Sequence, residues 1–311
     1  MDNKDLKILM TGAGGFLGTH VVSYFSKQGF SNLLVPSRAD YDLLVQSDVQ
    51  KLFKQHRSSI DIVIHMAADI GGLGYSSYSS GKQLYNNSLM NLMVQHEAYK
   101  SGAGKFVGVG TVCSYPENTP VPFVETEVWN GYPVPTNAAY GISKRIMLEH
   151  SQAYRQQYNF NAIHLLMVNL YGMGDDTDLK NSHVIPAIIR KIKEAQMNGS
   201  DHIEVWGSGK ATREFVNAKD AARAIYNATL TYDQPEPVNI GSGEEISIHD
   251  LVYLISDIMK YEGKLMFNTD KPDGQMRRAL DTSKAKALFN FQAEISLEDG
   301  IKEYIEWYNH Q

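Results

Sequence analysis

Thr11-Gly12-Ala13-Gly14-Gly15-Phe16-Leu17-Gly18 is the stretch that decides the fold of this chain. An apolar run, Ile8-Leu9-Met10, leads into it, and a helical pattern, Val21, Val22 and Phe25, leads out. Strand, glycine turn and helix in that order build a phosphate site. Gly12 permits the tight turn, Gly15 lets the backbone approach a pyrophosphate, and Gly18 lets the helix pack closely on the strand. The free N–H groups at the helix start then face the anion. Glycines also mark ordinary turns, so it is the strand–turn–helix setting that favours a dinucleotide site. Its candidates are Gly12, Gly14, Gly15, Phe16, Leu17 and Gly18.

At 311 residues the chain is long enough to bury a sizeable core, as one large domain or two unequal lobes. An apolar content of 43% and a mean hydropathy of −0.32 belong to a globular protein, and no apolar run approaches a membrane span. The start, Met1-Asp2-Asn3-Lys4-Asp5, reads as entry to a strand rather than a signal peptide. A net charge of −6, with acids and bases interspersed, argues against a nucleic-acid surface. The single cysteine excludes an internal disulfide framework and suits a reducing cytoplasm. No His/Cys cluster has metal-ligand spacing, so no metal is expected.

Outward from the glycine stretch, short apolar runs alternate with helical patterns. Strands are expected at Lys7 to Met10, Leu33 to Val35, Ile62 to His65, Lys105 to Val109 and Ile163 to Val168. Helices are expected near 19–28, 46–56, 82–100 and 138–158. This βαβα rhythm predicts an α/β fold, a Rossmann-type doubly wound parallel sheet with ligands at the carboxyl ends of its strands. The dinucleotide-binding domain is expected over 1–170, with room for later segments to return to it. Over 171–311 the pattern changes to helices near 184–197, 219–230, 247–260 and 297–308 and a strand from Ile203 to Trp206, a smaller α/β lobe closing over the sheet.

The second strand runs into Val35-Pro36-Ser37-Arg38 with no acid at its tip. An acid there would take a ribose 2′-hydroxyl, whereas Arg38 suits a 2′-phosphate, so NADP(H) is favoured over NAD; a solvated surface arginine is the alternative. Asp42-Leu43 offers a cap for the adenine pocket. After the third strand, Ala67-Ala68 is small enough to run under a cofactor, and the turn Asp69-Ile70-Gly71-Gly72 follows. Tyr140 and Lys144, candidates for binding the cofactor as well as for catalysis, stand four apart on a helix, hence on one face. A neighbouring cation lowers a phenol's pKa, and such a pair can pass a proton to or from a sugar oxygen while hydride moves at its carbon. Thr111, just past the fourth strand, adds the second hydroxyl.

Those residues carry a resemblance. The chain resembles the extended short-chain dehydrogenase/reductases, the nucleotide-sugar epimerases, dehydratases and reductases, over essentially its whole length. Within them it is most similar to the GDP-L-fucose synthases (GDP-4-keto-6-deoxymannose epimerase-reductases). The matching runs are Thr111-Val112-Cys113-Ser114-Tyr115-Pro116, Asn137 to Lys144, Asn169-Leu170-Tyr171-Gly172, Asn181-Ser182-His183-Val184-Ile185-Pro186, Val205-Trp206-Gly207, Arg213-Glu214-Phe215 and Lys271-Pro272-Asp273-Gly274. The resemblance implies that Cys113 and His183 move protons at carbons beside a 4-keto group, and that NADPH then reduces C4 while Thr111, Tyr140 and Lys144 serve as the reductive triad. It also implies a GDP-linked sugar substrate, a nucleotide-sugar site in the second lobe, and a homodimer. Taken alone, Cys113 reads as a small buried hydrophobe and His183 as a helix cap.

Candidates for holding the substrate are Asn169, His183, Lys191, Trp206, Arg213 and Arg278. Asn169 alternatively ties a strand end to a loop, and Trp206 alternatively belongs to the core. The chain departs from the family pattern in three places. It has Asp69 where Lys or Met is usual, and Thr-Val-Cys-Ser where Ser-Ser-Cys-Ile is usual. It also has Asn-Ala-Ala-Tyr-Gly-Ile-Ser-Lys where Asn-Glu-Pro-Tyr-Ala-Ile-Ala-Lys is usual. A related 4-reductase, 4-epimerase or 3,5-epimerase acting on a dideoxy-hexose or deoxy-heptose is therefore the alternative.

Overall fold

The computed structural model describes residues 4–56, 59–179, 182–271 and 273–311. Asn181 and Pro272, members of two motifs quoted above, lie outside the described residues. Strand β1 (Ile8–Thr11) is buried at every residue, as a strand covered on both faces must be. The glycines turn the chain into α1 (Phe16–Lys27), and β2 (Leu33–Leu34), α2 (Gln46–Gln55), β3 (Ile62–His65), α3 (Leu73–Ser101), β4 (Lys105–Thr111), α4 (Ala138–Tyr158) and β5 (Ala162–Met167) continue the alternation. Then come β6 (Asn169–Tyr171), α5 (Val184–Asn198), β7 (His202–Trp206), β8 (Thr212–Asn217), α6 (Ala218–Thr231) and β9 (Val238–Ile240). The chain ends with β10 (Glu245–Ser247), α7 (Ile248–Ile258), β11 (Lys264–Asn268), β12 (Arg277–Arg278), α8 (Ser283–Phe289) and α9 (Leu297–Asn309).

Six strands pair in parallel in the order β2-β1-β3-β4-β5-β9. Because side chains alternate along a strand, Ile8, Met10, Ile64 and Val107 face one way and pack with Val21, Phe25, Ala221 and Ile225 of α1 and α6. Leu9, Val63 and Phe106 face the other way, onto Leu52, Val94 and Met147 of α2, α3 and α4. Each face thus has its helical layer. From β1 the chain winds outward to β2 and returns past β1 to β3, so the winding direction reverses between β1 and β3. A ligand crevice opens at the carboxyl ends of those two strands.

The second layer system is built on β8, which pairs with β10, β12 and β6, and on a separate β7–β11 pair. Its core is aliphatic: Ile188 and Ile192 of α5, Leu251 and Ile255 of α7, and Ile301 and Ile305 of α9. Among the described residues, no helix is long and apolar enough to cross a membrane.

Besides the short strands and the helix α8 that were not expected, three points differ from the sequence reading. Val238–Ile240, within the 171–311 stretch read mainly as the smaller lobe, pairs with β5 and completes the large sheet, a later segment returning to it. Helix α1 begins at Phe16, not near 19, which places the glycines at its N-terminus. Helix α3 starts at Leu73, well before 82, and bends at Ser79 (φ −120°, ψ 15°), where a Ser- and Tyr-rich stretch favours helix only weakly.

Candidate active site

The glycine stretch works by contact. Gly12 holds φ +73°, and a Cβ there would stand 2.6 Å from the Ala67 nitrogen, so the loop after β1 and the end of β3 meet backbone to backbone. A Cβ on Gly18 would stand 2.1 Å from the Gly12 carbonyl oxygen, which only glycine avoids as α1 crosses β1. A Cβ on Gly14 would meet nothing within 4 Å, so that side of the loop is open. Gly15 precedes α1 with no side-chain cap, and α1 has no acid in its first turn. Its N–H groups are therefore left for an anion, and this cradle fits a dinucleotide pyrophosphate. Arg38 extends into solvent with its guanidinium 3.9 Å from the Asp42 carboxylate. Asp42 itself accepts from the Leu44 N–H, so it caps its own turn.

Behind the cradle, a buried chain of hydrogen bonds fixes α4. Thr11 Oγ1 lies 2.7 Å from His65 Nδ1, His65 Nε2 lies 3.0 Å from Asn91 Oδ1, and Asn91 Nδ2 donates to the Ser143 carbonyl at 3.0 Å. Since the Asn91 amide nitrogen donates to Ser143, its oxygen accepts, so His65 carries its proton on Nε2 and receives the Thr11 hydroxyl at Nδ1. Burial first, then the Lys144 charge, pulls the His65 pKa down to about 3, and the ring stays neutral. Lys144 is buried too, its pKa lowered to about 8 by loss of water alone. Its ammonium lies 5.9 Å from the centre of the Tyr140 ring.

Tyr140 corrects the sequence reading. The expected lowering of its pKa by Lys144 is not what the structure shows: burial raises the phenol well above its ordinary value, and the Cys113 sulfur raises it further. At 8% exposure the cost of burying a phenolate dominates, and the phenol's pKa rises although the Lys144 ammonium lies over its ring.

Cys113 lies in a single 3₁₀ turn, Val112–Ser114, at the tip of β4. Thr111 caps that turn by accepting from the Cys113 N–H at 3.2 Å. Asn137 Nδ2 and Arg278 Nη1 both approach the Cys113 sulfur at 3.7 Å. The register of β8 and β12 sets Arg213 beside Arg278. Burial and then the Arg278 charge bring the Arg213 pKa down to about 10. The Arg213 guanidinium is held by the carbonyls of Thr212, Gln275 and Asp273. Thr111, Cys113, Tyr140, Lys144, Arg213 and Arg278 thus gather around the β4 tip.

The remaining candidates divide. Asn169 donates to the Glu214 carbonyl at 2.8 Å, the strand-tie alternative. Lys191 donates to the Glu204 carbonyl, and Lys191 and Lys271 flank the exposed Trp206 ring at 5.8 and 5.4 Å. His183 is the residue before α5, its Nδ1 3.8 Å from the Asp175 carboxylate. Sequence reasoning gave no role to Asn137, Asp175, His65 or Asn91. For Asp175 one signal was available, an acid in the Tyr-Gly-x-Gly-Asp-Asp turn eight residues before His183.

The model of the NAD dependent epimerase/dehydratase family matches residues 8–241. GDP-L-fucose synthase 1 of Arabidopsis thaliana is 36% identical over 308 residues, covering 99% of this chain and 94% of that protein. The crystal structure of a GDP-6-OMe-4-keto-L-xylo-heptose reductase from C. jejuni superposes with a TM-score of 0.93 at 28% identity, covering 99% of each chain. A GDP-L-fucose synthetase from Naegleria fowleri bound to NADP superposes at 0.88 with 27% identity, covering 98% of this chain and 94% of that one.

Proposed function

This chain belongs to the NAD dependent epimerase/dehydratase family, and on that premise we propose that it is an NADPH-dependent epimerase-reductase acting on a GDP-4-keto-6-deoxy sugar. The observation that carries the reading is the placement of the chain's one thiol. Cys113 stands two residues beyond Thr111, against the start of the helix that bears Tyr140 and Lys144. A simple reductase needs the two hydroxyls and the lysine, whereas a thiol among them supplies a group able to exchange protons at carbon.

The glycine cradle and Ala67-Ala68 would hold the dinucleotide, with Arg38 meeting the 2′-phosphate; when bound, it supplies hydride at C4. Thr111 and Tyr140 hold the ketone oxygen. A proton on a carbon beside that ketone is acidic because the oxygen takes the charge as an enolate, which the two hydroxyls steady. Cys113 and His183 exchange protons at those carbons. Burial keeps the Tyr140 phenol protonated, so its proton is in place for the oxygen at reduction. Lys191, Trp206, Arg213 and Arg278 form the cationic and aromatic lining for a nucleoside diphosphate, with bidentate arginine the strongest anion partner. Exposed Tyr78, Tyr85 and Leu92 on α3 and Tyr158 on α4 offer a face for a second copy of the chain, in keeping with a cytoplasmic homodimer.

Absorbance at 340 nm, followed with NADPH and GDP-4-keto-6-deoxymannose in D2O, tests this directly. NADPH oxidation with deuterium at C3 and C5 is expected, and Cys113→Ser should abolish the exchange while the fold survives. The likeness to the heptose reductase favours one second reading, a C4 reductase on another GDP-sugar. Reduction without exchange would select it.

A further inference from the structure

We infer that Asp175 is a positioning residue for His183: its buried carboxylate faces the imidazole Nδ1 at 3.8 Å and fixes that edge inward, which leaves Nε2 as the edge for substrate. This rests on the assignment of His183 to proton transfer. Asp175 sits in the turn between β6 and α5, which Gly172 (φ +142°) and Gly174 (φ +86°) bend back beneath the start of α5. Its Oδ1 accepts the Asp176 N–H at 2.8 Å. Its Oδ2 is buried with no hydrogen-bond partner, and so is His183 Nδ1. The oxygen facing Nδ1 is Oδ1, so the imidazole nitrogen stands without a partner 3.8 Å from a carboxylate whose other oxygen is also unsatisfied, and a small rotation of the ring would complete the hydrogen bond at less cost than leaving these buried groups alone. The His183 side chain as a whole is 42% exposed, although its Nδ1 is buried.

Among the described residues, two further polar groups act on the pair. Asp176 adds a second negative charge from the same turn, and from α9 the buried Tyr304 hydroxyl, itself without a partner, feels the Asp175 charge. Burial pulls the His183 pKa down, but Asp175 and then Asp176 outweigh it and hold the ring above the ordinary histidine value. With Nδ1–H turned to the carboxylate and the pKa raised, His183 carries an Nε2 proton more often than an ordinary histidine and serves as an acid toward carbon. Cys113 is then left as the partner that takes a proton.

The experiment is an NMR titration of the imidazole Cε1–H signals in the full chain, with the His183 resonance assigned by its loss in His183→Gln. In the parent protein its midpoint lies above about 6.5, and in Asp175→Asn it drops below that value. Deuterium incorporation into substrate slows at least about tenfold in the same variant, with KM for NADPH unchanged. Asp175→Glu keeps the charge, so it retains the high midpoint; this variant also decides the matter should Asp175→Asn fail to fold. A midpoint unmoved in Asp175→Asn, or lost equally in Asp175→Glu, overturns the role of Asp175 and leaves the proposed reaction standing. A parent enzyme that exchanges no deuterium overturns the reaction and leaves the titration result intact.

Discussion

Gly141→Ala tests how the two halves of the site are held together. Gly141 follows Tyr140 in the first turn of α4, and a Cβ there would stand 2.1 Å from the Cys113 carbonyl oxygen and 3.3 Å from the Ser114 nitrogen. Both are backbone atoms, so no rotamer change relieves the contact; the start of α4 and the 112–114 turn must separate by about 1 Å. Two stability terms oppose each other. Alanine favours helix over glycine by about 1 kcal/mol, and overpacking costs about 1–3 kcal/mol, so the variant loses up to about 2 kcal/mol. Activity moves further. Thr111 and Cys113 lie on one side of the opened contact and Tyr140 and Lys144 on the other, and a misplacement of about 1 Å costs on the order of 100-fold, or about 2.7 kcal/mol of transition-state stabilisation. The assay is kcat from NADPH oxidation, read beside urea unfolding, with KM for NADPH as the control because the glycine cradle is remote from the change. Unchanged kcat with a raised unfolding midpoint would refute the reasoning, since helix propensity would then have been realised with no steric cost.

Further tests probe other contacts. Gly18→Ala drives a Cβ into the Gly12 carbonyl and should lower stability by about 1–3 kcal/mol. Gly14→Ala, with open space around it, should unfold normally and weaken NADPH binding alone; calorimetric titration against the melting curves of both variants separates the two roles. Lys105 donates at 2.6–2.8 Å to the carbonyls of Thr229 and Tyr232 and to Asp233 at the end of α6, so Lys105→Met should cost about 2–4 kcal/mol in urea unfolding. A loss under about 1 kcal/mol would show that water satisfies that helix end. The lowered pKa of Lys144, about 8 against 10.5 unfolded, means that the unfolded chain binds more protons between those values. Stability should therefore rise with pH across that window, by on the order of 3 kcal/mol, and Lys144→Met should lose that part of the slope.

How much of this was legible in the sequence depends on what kind of information each residue carries. The sheet could be read because Ile8–Thr11, Ile62–His65 and Lys105–Thr111 are buried on both faces and so appear as short, mostly apolar runs between helices. In the second lobe β7 was legible as Ile203 to Trp206, but β6, β10 and β12 are two or three residues long and leave no run to see. The site divides along the same line. Tyr140 and Lys144 are neighbours by helical spacing, so their partnership is written locally. The pKa of Tyr140 is not, because burial depends on what the rest of the fold lays over α4, and burial reverses the shift expected from the nearby ammonium. Arg213 and Arg278 are 65 positions apart and meet only through the β8–β12 register. Asp175 and His183 are close in sequence, yet their pairing needs two glycines at positive φ to fold the turn back. Residues whose roles follow from spacing are visible in one dimension; those whose roles follow from desolvation or strand register exist only once the chain is packed. Cys113 and His183, the groups proposed to exchange protons at carbon, were picked out by their motifs, but what each can do depends on its packed surroundings: the Asn137 amide and Arg278 guanidinium at the Cys113 sulfur and the Asp175 carboxylate at His183.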